Sequence, residues 1–264
     1  GSGAGLAQDL RAKMEEMGAT LMLETRAYEL KSTDGAVDGV LARDNSGNEY
    51  VIQADAVVLA TGGYCFDDEY IDPSLKVLPC SGSKANTGDG IHMALPYGAV
   101  LQNMEMVAVA GHGIRKGDSA QHTKPGCLVA YRTTGTILVN MQGERFINER
   151  GSDASIVEAM RQTDRCFMLM DAASFEEYAR SCVDKKYFSQ EELDQWLAEN
   201  GTGVTVFAHG DTLEELAATV SMDAAGLAAT VEKYNGFVAA GEDADFGREV
   251  TAPIGEGPYY LVEQ

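Results

Sequence analysis

The chain has 264 residues, 45% of them hydrophobic and 23% charged, a balance that belongs to folded globular proteins rather than disordered tracts. Its 41 acidic against 20 basic residues give a formal net charge of -21, which repels nucleic-acid backbones and anionic lipid, so an anionic ligand has to be drawn in by local arginines or helix N-termini. The five cysteines form no C-x-x-C pair, which argues against a zinc or dithiol site, and they read as reduced, mostly buried thiols.

The length suits two segments. Residues 5–17 place Leu6, Leu10, Met14 and Met17 at helical spacing, and Gly18 follows where a left-handed residue closes a helix, predicting an amphipathic helix. Residues 19–30, 36–44 and 49–53 are short β-prone runs divided by Thr33-Asp34-Gly35 and Asn45-Ser46-Gly47-Asn48, the pattern of a β-meander. The continuous apolar run at 56–60 predicts a strand buried on both faces, ending in Thr61-Gly62-Gly63. From Asn86, N-T-G-D-G-I-H-M-A turns through glycines into a short helix. Its amides suit a phosphate or an electron-rich ring edge, and the alternative is a plain capping turn by Asp89.

Residues 112–135 read as irregular, and 136–140, Gln142-Gly143 and 144–149 as a hairpin. Beyond these the pattern is helical: Ser174, Ser189 and Asp211 each read as an N-cap with Glu three residues on, and Asn200-Gly201 stops the second of these helices. A longer helix over 223–239 carries Leu227, Val231, Tyr234 and Val238 on one face. The expected class is thus an α/β segment over 1–111 followed by a mainly helical α+β segment over 112–264. No apolar run reaches the roughly 20 residues of a membrane helix, and no basic and apolar leader opens the chain. The expectation is a soluble protein, cytoplasmic or exported, without membrane insertion. Asp243, Asp245 and Glu242 lack the glycine and terminal glutamate of a calcium loop, so no metal site is expected.

Five blocks in order carry a resemblance: the opening helix; the meander ending G-N-E-Y-V-I-Q-A-D-A-V-V-L-A-T-G-G; N-T-G-D-G-I-H-M-A; G-T-I-L-V-N-x-x-G-E-R-F-I-N-E; and D-T-L-E-E-L through D-F-G-R to P-I-x-x-G-P-Y-Y. Together they resemble the FAD-dependent fumarate reductase and succinate dehydrogenase flavoproteins, over nearly the whole chain. The resemblance implies a partial Rossmann-like FAD-binding domain over 1–111 and a substrate-capping domain over 112–264, with hydride passing between flavin N5 and an activated alkene. It also implies that Ala60, Thr61, Gly62 and Gly63 line the flavin, that Thr87, Gly88, Asp89 and Gly90 form a second contact loop, and that Ala27 meets the adenine.

The chemical residues match the family less closely. The acid arginine of fumarate-type members falls at Asp153, with Arg150 a neighbouring substitute; Arg132 matches an arginine of the proton path, whose companion glutamate is Val129 here. The substrate histidine falls near Ala110, with His112 two residues on. These departures count against fumarate itself, and the expected substrate is a different enoate or a larger alkene acceptor. The rival readings are a ketosteroid-dehydrogenase-like enzyme using tyrosines such as Tyr131 in place of carboxylate-clamping arginines, and a non-catalytic cap. No G-x-G-x-x-G turn occurs among these residues, so the chain is expected to be an internal piece whose electron donor lies outside it. It is expected to bind flavin weakly, to be inactive alone, and to have exposed strand edges that favour self-association.

Overall fold

Helix α1, Gly3–Glu16, opens the fold and closes at Gly18, whose φ of 79° is the left-handed value expected there. The structure, a computed structural model, describes residues 3–71, 73, 80–106, 108 and 111–264. It divides into one unit of Gly1–Ile71 with Ser83–Met104 and another of Asp72–Gly82 with Glu105–Gln264, so the division falls before the expected 111/112 boundary.

In the first unit the meander forms as expected: β1 (Thr25–Thr33), β2 (Ala36–Asp44) and β3 (Glu49–Gln53) pair antiparallel in that order. Asp34 and Gly35 both take positive φ, 53° and 83°, the geometry of a two-residue hairpin turn matching the strand twist. The β2–β3 turn is held by the Asp44 carboxylate, which accepts from the Ser46 and Asn48 amides, the Asn48 side-chain amide and the Tyr50 hydroxyl. These bonds, the Asn48 side chain first, hold its carboxyl below the usual range.

The expected strand at 56–60 does not form. Those residues make no ladder, and Val58 is 87% exposed. A continuous apolar strand needs partners on both edges and cover on both faces, and the described residues supply neither. The apolar side of α1 is likewise uncovered, with Leu6 and Leu10 exposed.

The second unit is built on a four-stranded antiparallel sheet that the sequence reading missed, in the order β6 (Ile137–Asn140), β7 (Cys166–Met170), β9 (Tyr259–Glu263), β8 (Phe207–Gly210). All five residues of β7 are buried, because helices cover both faces of this strand. Leu138, Cys166, Met168, Met170, Phe207 and Val262 pack against α3 (Lys124–Thr133), α5 (Ala172–Asp184) and α6 (Gln190–Glu199). The alternate residues Ile137, Val139, Phe167, Leu169, Ala208 and Leu261 pack against α7 (Leu213–Val220) and α8 (Ala224–Ala240). The period-two division of the strands thus sets the two apolar clusters of this unit.

Residues 113–133, read as irregular, form the hairpin of β4 (Gly113–Lys116) and β5 (Ser119–His122), then α3. The hairpin expected over 136–149 shrinks to β6 and one bridge between Val139 and Arg145. The Glu149 carboxylate explains the loss, since its Oε1 accepts from the Leu138 amide at 3.0 Å where a strand backbone would have. The cap of α5 is Asp171, not Ser174: Asp171 Oδ1 accepts the Ser174 amide at 2.8 Å. The cap of α7 is Thr212 rather than Asp211, whose amide instead donates to Glu215. Ser189 and Glu192 form the expected capping box, and Asn200 ends α6 in the left-handed region at φ 42°.

Candidate functional site

Within the first unit, the two predicted cofactor loops are bound to each other. The Gly88 amide donates to Gly63 O at 3.1 Å and the Gly90 amide to Thr61 Oγ1 at 3.0 Å, while the Phe66 amide donates to Asn86 O at 2.9 Å. Gly62 has φ 84°, and a Cβ there would lie 2.5 Å from Asn86 Oδ1; one at Gly88, φ 74°, would collide with the Asp67 carboxylate. Glycine is therefore required on both loops by their packing as well as by their dihedrals.

The second loop leads into α2, Asp89–Ala94. Asp89 does not cap this helix; it accepts from Arg26 Nε and Nη2 at 2.9 and 2.7 Å and from Thr87 Oγ1 at 2.8 Å. Arg26, foremost, holds the Asp89 carboxyl below the usual range. This ion pair joins α2 to β1, where Ala27 sits half-buried opposite Ala42 beside a register shift. Ala27, Ala60–Gly63 and Thr87–Gly90 thus belong to one unit. The Gly88 and Gly90 amides, however, are consumed by the loop–loop bonds and are not open to a ligand. The open surface is instead the exposed backbone of Thr61–Gly63: at Gly63 an added Cβ would meet nothing nearer than 3.9 Å. Beside them His92 Nε2 lies 2.7 Å from Asp67 Oδ2, which links α2 to the segment after the glycines.

In the second unit the chemical candidates surround a buried ionic network. Glu149 is fully buried; Arg145 meets it with Nε to Oε1 at 3.0 Å and Nη2 to Oε2 at 2.9 Å, and Arg248 Nη1 donates to Oε2 at 3.1 Å. Arg145 Nη2 also donates to Asp243 at 3.0 Å, and the guanidinium lies over the rings of Tyr234 and Phe246, 5.0 and 5.1 Å from their centroids. Burial opposes the charge on Asp243, but the Arg145 contact outweighs it and holds the carboxyl below its usual range.

Arg248, fully buried, further donates from Nη1 to Thr136 O and from Nη2 to Tyr131 O, both at 2.7 Å. It was not singled out in the sequence. The signal was the arginine of D-F-G-R, an apparently solvated charge just beyond a helix.

The expected catalytic residues lie around this network. Arg132 is exposed near the end of α3, one residue after Tyr131; Arg150 follows Glu149 and pairs with Glu249 at 2.8 Å; Asp153 is exposed as the first residue of α4, Asp153–Met160, which Ser152 caps. His112 is buried, its ring 5.4 Å from that of Tyr131. The Tyr131 phenol is fully enclosed, and burial above all raises its pKa well beyond the ordinary range.

One unit thus carries a glycine-lined loop pair bound to a meander, and the other a helix-covered antiparallel sheet, a mixed α/β architecture. The FAD-binding domain family model matches residues 1–263, and the chain belongs to that family of fumarate reductase and succinate dehydrogenase flavoproteins, whose cofactor is FAD. It is 31% identical to a fumarate reductase (cytochrome) of Shewanella frigidimarina, over 100% of this chain and 43% of that protein. It is 28% identical to a 3-oxosteroid 1-dehydrogenase of Mycolicibacterium smegmatis, over 96% of this chain and 46% of that protein. The open conformation of a flavocytochrome c3 fumarate reductase superposes with a TM-score of 0.70 at 30% identity, covering 96% of this chain and 42% of the other. The chain spans less than half the length of these relatives. Among the described residues no acidic, histidine or cysteine cluster could hold a metal, and no helix is long and apolar enough to cross a membrane.

Proposed function

We propose that this chain is the flavin-facing loop pair and the cap of an oxidoreductase that acts on an activated C=C bond, with a small enoate-like alkene as acceptor. The observation that carries the reading is the bonded pair of loops at 60–63 and 86–90. Their packing leaves the backbone of Thr61–Gly63 exposed and without side chains at Gly62 and Gly63, a surface a planar ring can approach closely. Ala27 would face the adenine part of the same cofactor. Bound FAD supplies the hydride, taken up or released at its N5.

The protein's part is to place the alkene and to supply a proton to the carbon that receives no hydride. Arg132, Arg150 and Asp153 are the groups proposed for it, together with the buried His112 as a support. Asp153, an exposed carboxyl at the head of α4, stands where the family's acid arginine falls and is the group proposed to relay the proton. A carboxylate in place of the family's acid arginine also repels a substrate's second carboxylate, which favours acceptors with one anionic or carbonyl group over fumarate. The ketosteroid-type variant built on Tyr131 is disfavoured, because that phenol is enclosed in the core. On this reading the 264 residues alone hold FAD weakly and turn over no alkene.

The complete protein carrying this chain, its flavin reduced without oxygen, should be reoxidised by a mono-enoate at least tenfold faster than by fumarate, a preference of about 1.4 kcal/mol. Failure of every alkene to reoxidise the flavin would leave the non-catalytic cap as the surviving alternative.

A further inference from the structure

We infer that Arg248 is a positioning residue that fixes the two segments bearing Arg132 and Arg150, an inference that deepens the proposed function and rests on it. The pattern lies in two neighbouring dipeptides. Glu149-Arg150 faces Arg248-Glu249 with the charges in complementary order: Glu149 pairs with Arg248 at 3.1 Å and Arg150 with Glu249 at 2.8 Å. Asn148 extends the lacing, its side-chain amide donating to Phe246 O at 3.2 Å, while Arg150 Nη1 reaches Glu249 O at 3.3 Å.

The same buried guanidinium holds the carbonyls of Tyr131 and Thr136, which bracket the end of α3 and the start of β6. One side chain therefore fixes the backbone next to Arg132 and, through Glu149, the backbone next to Arg150. The planar fork suits this task, since it directs separate donors at two carbonyls and a carboxylate in fixed geometry. Lysine at this site would retain the charge but could not reproduce those directions. The Arg248 hub also explains how α4 is launched: the turn of residues 148–152 runs from the laced residues directly into Asp153.

Hydrogen exchange tests the coupling without reference to turnover. In Arg248→Lys the amides of Thr134, Thr136, Arg150 and Gly151 should exchange about tenfold faster, while those of β7 and α8 stay protected. In Glu249→Gln, which spares the hub, only the amides around Arg150 should loosen. Uniform acceleration through the unit, or no change at Thr134 and Thr136, overturns the inference. In the complete flavin-loaded protein, Arg248→Lys should lower kcat about tenfold per bound flavin while KM shifts less than about twofold, the mark of a misplaced proton donor rather than lost binding. An unchanged kcat would also overturn it. If the unmodified protein turns over no alkene, the proposed function falls, and the exchange pattern still decides the positioning role.

Discussion

Replacing Glu149 by Gln is the most informative single perturbation of the second unit. The carboxylate takes four hydrogen bonds, from the Leu138 amide, Arg145 Nε and Nη2, and Arg248 Nη1, at full burial. Gln preserves the shape but removes the charge, leaving two guanidiniums against the carboxylate of Asp243. An uncompensated buried charge of this kind costs about 3–5 kcal/mol, a large share of a total stability of roughly 5–15 kcal/mol. Arg248→Met removes the other partner and leaves Tyr131 O and Thr136 O without its donors, at about 1–3 kcal/mol each. The double variant no longer buries the stranded Arg248 charge, so it should cost less than the sum of the two by about 1–3 kcal/mol. The assay is urea unfolding followed by the fluorescence of Trp196, the one tryptophan, which is buried against Phe207 in the same unit. A loss below about 1 kcal/mol for Glu149→Gln, or strict additivity of the pair, would refute the electrostatic reasoning.

Other outcomes follow from the same structure. Because the folded Asp243 carboxyl lies below its usual range, its contribution is present above the unfolded value near 4 and is lost as pH falls through the folded value. Acid unfolding by circular dichroism should therefore have a shallower pH slope in Asp243→Asn, which is also less stable at neutral pH; an identical slope would contradict the assignment. Cys127, Cys166 and Cys182 are pushed up to about 12, in each case chiefly by burial. A thiol reagent at pH 8 should thus rapidly label only the half-buried Cys65 and Cys80, and all five cysteines after denaturation. Gly62→Ala should strain a left-handed residue and push on Asn86, costing about 1–2 kcal/mol and weakening flavin binding in the complete protein, as measured by flavin titration.

The elements most legible in the sequence were those set by local chemistry. Asp34-Gly35, Gly18 and the Ser189–Glu192 box specify their turns and caps through dihedral preference and near-neighbour hydrogen bonds, which need no tertiary partner. The apolar run at 56–60 could not be settled that way, because whether it becomes a strand depends on neighbours. The antiparallel sheet of the second unit was hidden for a related reason: β6 was legible as a strand but not its partners, since β8 is only four residues long and β7 is apolar on both faces, so period two is invisible in it. At the candidate site, the glycine loops were readable because a glycine requirement leaves a direct mark on the sequence. Arg248 was not, since a buried arginine looks like a solvated one until Glu149, 99 residues away, is placed against it. Pro125 and Gly126 similarly concealed α3, where Gly126 lets the helix approach Cys182 and Tyr178 closely.

The proposed function makes this chain the flavin-contact loops and cap of an oxidoreductase acting on activated alkenes. The most direct measurement follows the visible absorbance of the flavin in the complete protein, reduced anaerobically and then mixed with a panel of alkenes conjugated to a carboxylate or a ketone. The oxidised band should return with a mono-enoate, and Asp153→Asn should slow this return about 100-fold without changing flavin content. A flavin that stays reduced with every alkene, or an Asp153→Asn protein as fast as the unmodified one, would contradict the proposed function.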